Sequence, residues 1–145
     1  SRDSLHDLIL RLKDNYSDLL NSMGISFKTK NLEKLKDVKL PMDVKQNLYL
    51  IFKEAVNNSI KHSSCKQITL ESNLRNDVLE ISLSDDGNGF DESLMSKGNG
   101  LKNMENRAAQ IKGRIKIKSS ANAGTSIRFI GKSGTTSKLK VLFKK

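Results

Sequence analysis

Leu48–Ser63, LYLIFKEAVNNSIKHS, is the stretch from which the rest of the chain can be read. At 100° per residue it divides into two faces. Leu48, Tyr49, Phe52, Ala55, Val56 and Ile60 share an arc wide enough to be a core-facing stripe. Glu54, Asn58, Lys61 and His62 share the other, at i, i+4, i+7 and i+8. A carboxylate, an amide, an ammonium and an imidazole in that order suit a solvated face. They equally suit a site that holds a metal ion and phosphate groups. The helix alone leaves both readings open.

Working outward, Leu40-Pro41-Met42-Asp43 reads as the start of this helix, because the N–H that proline lacks would be unpaired there anyway. Upstream, residues 3–22 place Leu5, Leu8, Ile9, Leu12, Tyr16, Leu19 and Leu20 on one stripe, predicting an amphipathic helix that stops at Gly24. Ile25–Lys28 is a predicted strand and Asn31–Lys39 a polar connection. Downstream, Gln67–Leu74 and Val78–Ser84 alternate with period two around Arg75-Asn76-Asp77. They predict a hairpin with Ile68, Leu70 and Leu74 facing inward on one strand and Leu79, Ile81 and Leu83 on the other.

Periodicity then stops at Asp85–Phe90, DDGNGF, an acidic, glycine-rich loop. Gly98-Asn99-Gly100 opens a third helix, with Leu101, Met104, Ala108 and Ile111 at helical spacing and Gly113 at its end. Arg114–Lys118 and Thr125–Ile130 make a last strand pair around Ala123-Gly124. From Gly131 onward the chain reads as a flexible basic segment, in which Leu139, Val141 and Phe143 have the spacing of one more strand.

At 145 residues, 36% hydrophobic and 29% charged, the chain is one domain with enough material for a core, neither disordered nor fibrous. No run reaches the roughly 18–20 apolar residues of a membrane span, and no signal peptide is visible. The single cysteine, Cys65, excludes an internal disulfide framework and fits a reducing compartment. No Cys/His cluster has zinc-site spacing. A start at Ser1 rather than Met is expected of a piece excised from a longer protein. The formal charge of +10 invites a nucleic-acid reading, but the last fourteen residues hold five lysines and no acid, half of that net charge. Elsewhere there is no basic helix and no interleaved aromatic series, so nucleic acid is not an expected partner.

Four elements line up in order: the polar face around Glu54 and Asn58, DDGNGF at 85–90, GNGL at 98–101 and AGTSIRF at 123–129. Together they resemble the N, G1, G2 and G3 boxes of the GHKL ATPase superfamily, which includes gyrase-type topoisomerases, heat-shock chaperones, mismatch-repair ATPases and sensor histidine kinases. The resemblance covers about Pro41 to Ile130. Within that group, EAVNNSIKHS and the helix GLKNMENRAAQIKGRIKIKS are similar to sensor histidine kinases of the nitrate-sensor and DesK-like class. The short lid fits too, with eight residues between Gly89 and Gly98, as does the lack of a separate F box.

The resemblance implies an α+β fold, a two-layer α/β sandwich of the Bergerat ATP-binding type, with helices on one face of a mixed, mostly antiparallel sheet. It is not a Walker-type site, because no GxxxxGK[ST] occurs. It implies ATP and Mg²⁺ as ligands. Asp85 would accept a hydrogen bond from the adenine amine, which selects adenine over guanine. Gly87 and Gly89 would let the backbone approach the base. Asn58 would ligate Mg²⁺ through its amide oxygen, among phosphate oxygens and waters. Glu54 would position the attacking group rather than act as a true base. Lys61 would meet phosphate charge, and His62 would lie near the adenine. Gly98, Gly100 and Leu101 would bring a helix N-terminus to the phosphates. Thr125 would support Asp85 through its hydroxyl, directly or through water.

The implied catalytic domain spans residues 1–131, followed by a basic tail at 132–145. Its reaction would move the γ-phosphoryl of ATP to a histidine on a separate dimerisation domain of the same parent protein, and onward to a response regulator receiver domain. The expected location is cytoplasmic, with no membrane contact by this segment. Ser4-Leu5-His6-Asp7-Leu8 invites confusion with a phosphoacceptor box. No second dimerisation helix separates it from Pro41, however, and a strand intervenes, so His6 is assigned to the domain's own first helix. Two rival functions share these boxes: a serine kinase of the anti-sigma-factor type, and a non-catalytic ATP-binding switch.

Overall fold

The computed structural model describes residues 4–62, 64–89, 99–119 and 122–132. Helix α1, Leu5–Ser22, starts at an N-cap Ser4 whose hydroxyl accepts from the Asp7 N–H. It buries Leu5, Ile9, Leu12, Tyr16 and Leu20, while Leu19 is 48% exposed and lies off the stripe to which its spacing assigned it. The end is a complete Schellman turn. Ile25 N–H donates to Leu20 O at 2.9 Å, Gly24 N–H to Asn21 O at 3.1 Å, and Gly24 takes the left-handed φ of 72°.

Strand β1 is Ser26–Lys30. The connection after it is less polar than its sequence suggests. A short 3₁₀ turn at Leu32–Leu35 buries both leucines, and Val38 follows them into the core. Helix α2 is Met42–His62, and its buried arc runs through Leu48, Ile51, Phe52, Ala55, Val56 and Ser59. The stripe is rotated slightly from the expected one, so Tyr49 and Ile60 are only partly covered and Ile51 is fully buried. Each large side chain on that arc is worth about 1.5–3 kcal/mol of burial.

Strands β2, Gln67–Arg75, and β3, Val78–Asp85, form the expected hairpin, turning at Asn76 with φ 56°. Helix α3 is Asn99–Gln110. Its exit takes the left-handed conformation at Lys112, with φ 59°, one residue before the glycine expected to end it. Gly113 opens strand β4, Gly113–Ser119, and is small for another reason: a Cβ there would collide with the Phe129 ring. Strand β5, Thr125–Lys132, is longer than expected. Gly131 and Lys132 pair with Leu79 and Val78, so they belong to the sheet rather than to a flexible segment.

The five-stranded sheet has the order β1-β2-β3-β5-β4, with β1 parallel to β2 and every other pairing antiparallel. It is the mixed, mostly antiparallel sheet implied by the resemblance. The three helices lie on one face, and Leu5, Leu20, Ile51, Leu70, Ile81, Met104 and Phe129 share one continuous core. Because α1 contributes to that core, His6 sits in the first turn of a helix packed on its own domain, its Nδ1 3.5 Å from Asp7 Oδ1. Ser63, Phe90, Gly98 and the C-terminal residues Leu139, Val141 and Phe143 lie outside the described residues.

Candidate functional site

The candidate site forms where the C-terminal end of β3 meets α2 and the start of β5. Asp85 is the last residue of β3, stands opposite Thr125 in register, and is 9% exposed. A carboxylate this covered needs donors. Among the described residues it has two: the Ser59 hydroxyl donates to Oδ2 at 2.7 Å, and the Gly87 N–H donates to Oδ1 at 3.0 Å. Each oxygen keeps a lone pair for a ligand. The N box thus orients the carboxylate of the G1 loop, through a hydroxyl that the expected core stripe had left out.

The loop itself is pinned on two sides. Asp86 Oδ1 accepts from Lys66 N–H at 2.8 Å and Gln67 N–H at 2.9 Å, tying the loop to the start of β2. Those two backbone donors, Gln67's first, hold the Asp86 carboxyl below the usual range. On the other side Asn88 O accepts from Asn122 N–H in the β4–β5 turn. Gly124 in that turn has φ 74°, and a Cβ there would run into the Asp85 carbonyl. Gly89 also takes a left-handed φ of 70°, and Gly87 contributes its N–H.

Thr125 is buried, but its Oγ1 pairs with Ser119 Oγ at 2.9 Å. The hydroxyl on Asp85 is Ser59's. A cavity of about 420 Å³ beside these residues opens on the other side of the sheet, away from α2, where Ser84, Lys118 and Ser126 line it next to Asp85, Gly124 and Thr125.

Along α2 the other polar residues follow one another by helical turns. Glu54 and Asn58 are half-buried and Lys61 is exposed, while the His62 side chain lies outside the described residues. Among the described residues no hydrogen bond engages the Asn58 amide, which leaves its oxygen available to a cation. Gly100 comes against Glu54 so closely that a Cβ on it would clash with Glu54 Oε1. Leu101 beside it is partly buried against the core. A cleft of about 220 Å³ between α2 and α3 is lined by Glu54, Asn57, Lys53, Asn103 and Arg107. A larger groove, about 630 Å³ between α1 and α2, is lined by Leu8, Arg11, Met42, Lys45 and Tyr49. It contains no box residue, so size does not mark the site.

Residues 43–133 match the family model described as histidine kinase-, DNA gyrase B-, and HSP90-like ATPase. The chain belongs to that family. As a member of this ATPase family it carries a nucleotide-binding fold. Sensor protein VraS of Staphylococcus aureus (strain COL) is 31% identical over 129 residues, which is 85% of this chain and 37% of the relative. Sensor protein VraS of Staphylococcus haemolyticus matches to the same extent. The chain therefore spans a little over a third of the curated relatives it matches.

Among solved structures, the catalytic domain of histidine kinase ThkA superposes with a TM-score of 0.72 at 20% identity, covering 90% of this chain and 94% of that one. The Erythrobacter litoralis EL346 blue-light activated histidine kinase gives 0.75 at 17% identity, covering 92% and 46%. At these identities the likeness is one of fold.

Three residues of this ATPase domain escaped the motif reading. Ser59 was hidden because it falls on the buried arc, although a lone hydroxyl among apolar residues is itself a signal. Asp86 looks like a turn former until its two backbone donors are seen. Arg107, half-buried in the cleft with Glu54, carries no mark in sequence beyond its place on the inner side of α3.

Proposed function

We propose that this chain is the ATP·Mg²⁺-binding catalytic unit of a sensor histidine kinase. The observation that carries the reading is the Asp85 carboxylate, buried at the end of β3 and held by Ser59 and Gly87 N–H with acceptor capacity to spare. An acceptor at that point matches the exocyclic amine of adenine and repels the carbonyl of guanine. The sensor proteins among its relatives support the kinase assignment.

Asn58 and Glu54, one turn apart on α2, face the phosphate end. Asn58 supplies one neutral oxygen, a donor suited to a cation that takes the rest of its shell from phosphates and water. Mg²⁺ held by Asn58 would offset charge on the transferred phosphoryl group. Glu54 orients the incoming imidazole, whose free ring nitrogen attacks the γ-phosphorus as the bond to the β,γ-bridging oxygen breaks. Lys61 meets phosphate charge, and His62 is assigned to contact with the base. The acceptor histidine belongs to a separate dimerisation domain, and a response regulator aspartate receives the phosphoryl next. This unit works on the cytoplasmic side; no helix among the described residues is long and apolar enough to cross a membrane.

The test is calorimetric titration with a non-hydrolysable ATP analogue and Mg²⁺, followed by transfer from labelled ATP to an added acceptor domain. Acid-labile phosphate on that domain is the expected product. Acid-stable phosphate on a serine would overturn the reading in favour of a serine kinase, and tight binding with no transfer would favour a switch.

A further inference from the structure

The sheet face turned away from the helices carries a regular pattern of positive charge, set by strand register. One row across it reads Lys28, Thr69, Ser84, Ser126 and Lys118. The next reads Lys30, Glu71, Ser82, Arg128 and Lys116. Farther along, Arg114 lies opposite Ile130, and Arg75 and Lys132 flank Val78. All eight cations are exposed, and no ion pair among the described residues engages any of them. Glu71 and Glu80 are the carboxylates in these rows, with Asp77 beyond them in the hairpin turn.

We propose that this bare sheet face docks on an anionic phospholipid surface. The cations spread in two dimensions over the face: Lys28 and Lys30 lie on edge strand β1, and Arg114, Lys116, Lys118 and Arg128 at the β4–β5 edge. Alternate residues of a strand stand about 6.8 Å apart, and the cross-strand neighbours Lys116 and Arg128 about 4.8 Å apart. Such an array suits a plane of headgroup phosphates better than the single line of phosphates along a nucleic-acid strand. These rows contain no aromatic side chain for a base to stack on, because Phe27 and Phe129 point to the helix side. Between the cations stand the short side chains of Thr69, Ser82, Ser84 and Ser126, which do not hold the charges off a plane.

The sequence leaving this face adds a second, independent argument. After Lys132 it continues into Lys138, Lys140, Lys144 and Lys145, interleaved with Leu139, Val141, Leu142 and Phe143. Basic residues alternating with apolar ones is the composition that partitions to an anionic interface. The expectation of no membrane contact rested only on the lack of an apolar span. Electrostatic docking needs none.

The experiment is co-sedimentation of the full chain with vesicles of neutral phosphatidylcholine, with or without about a third phosphatidylglycerol. Each cation near an anionic surface contributes about a fivefold gain in partition. Binding is expected on the anionic vesicles alone, falling at least tenfold between low and high salt as screening shortens. The double variant Lys116→Glu, Arg128→Glu, checked by thermal melting and nucleotide titration, should lose at least tenfold. Equal sedimentation with neutral vesicles would overturn the proposal. So would a double variant that binds like the parent, which would place the contact on residues 133–145. Release by duplex DNA at equal phosphate concentration would identify nucleic acid as the occupant instead. Nucleotide affinity tests the kinase reading separately, so either idea can fail alone.

Discussion

Gly100 and Glu54 approach so closely that a Cβ on the glycine would clash with the glutamate's Oε1. The G2 glycine therefore leaves room for the N-box glutamate. The obstructing atom is the far end of a flexible side chain, so Gly100→Ala can be accommodated by swinging Glu54 aside. The expected result is a melting temperature within a few degrees of the parent and phosphotransfer reduced at least tenfold, with nucleotide affinity largely kept. Transfer at the parent rate would show that the position of Glu54 does not matter.

Gly124→Ala should behave in the opposite way. Here the obstruction is the Asp85 backbone carbonyl, and φ is 74°, so neither atom can move cheaply. A cost of about 1–3 kcal/mol is expected from overpacking and backbone strain. Chemical denaturation would measure it, and a loss below the scatter of surface variants would contradict the close approach.

Ser59→Ala removes one of two donors from a buried carboxylate. A bond to a charged group is worth about 1.5–3 kcal/mol, and part of that loss should appear as nucleotide affinity reduced about tenfold. Asp85→Asn should abolish binding yet fold, because its oxygen can keep the Gly87 N–H while its NH₂ faces a Ser59 hydroxyl able to accept. Unchanged affinity in Asp85→Asn, read by calorimetry, would remove the adenine assignment.

Asp86 gives a pH signature. Its carboxyl is held low in the folded state by the Gln67 and Lys66 N–H groups. Its contribution is therefore fully present above the unfolded value of about 3.9 and is lost as pH falls through the lower folded value. The group is exposed, so after solvent screening the effect is about 0.5–1 kcal/mol. Urea titrations of Asp86→Ala and the parent should differ by a constant amount at neutral pH and converge in acid. A gap that persists at pH 2 would contradict the linkage.

The chain should not label itself on His6 when given radioactive γ-phosphate. Leu5, Ile9 and Leu12 seal α1 into the domain core, and Tyr16 OH donates to Asn57 Oδ1 at 2.8 Å, clamping α1 onto α2. No hinge remains to carry His6 to the nucleotide. Acid-labile label that disappears in His6→Gln would overturn this. The clamp is open to a separate check, since Tyr16→Phe should cost about 1 kcal/mol.

What could be read in the sequence were features whose cause is local. Helical periodicity located α2 within a residue or two, and period-two alternation located the β2–β3 hairpin. Spacing put Glu54 and Asn58 on one face, and glycine chemistry marked the loop after Asp85. The tertiary structure decided what depends on residues far apart in the chain. Ser59 became the partner of Asp85 only when α2 lay across the end of β3, 26 positions away in sequence. Thr125 paired with Ser119 because β4 and β5 adjoin in register. Lys112 took the left-handed turn, while Gly113 entered β4 opposite Gly131, where only a glycine fits against the Phe129 ring. The basic sheet face was invisible in sequence, since alternate residues of separate strands meet only when register aligns them. Periodicity reports which side of an element is buried; which residues face one another is settled by packing.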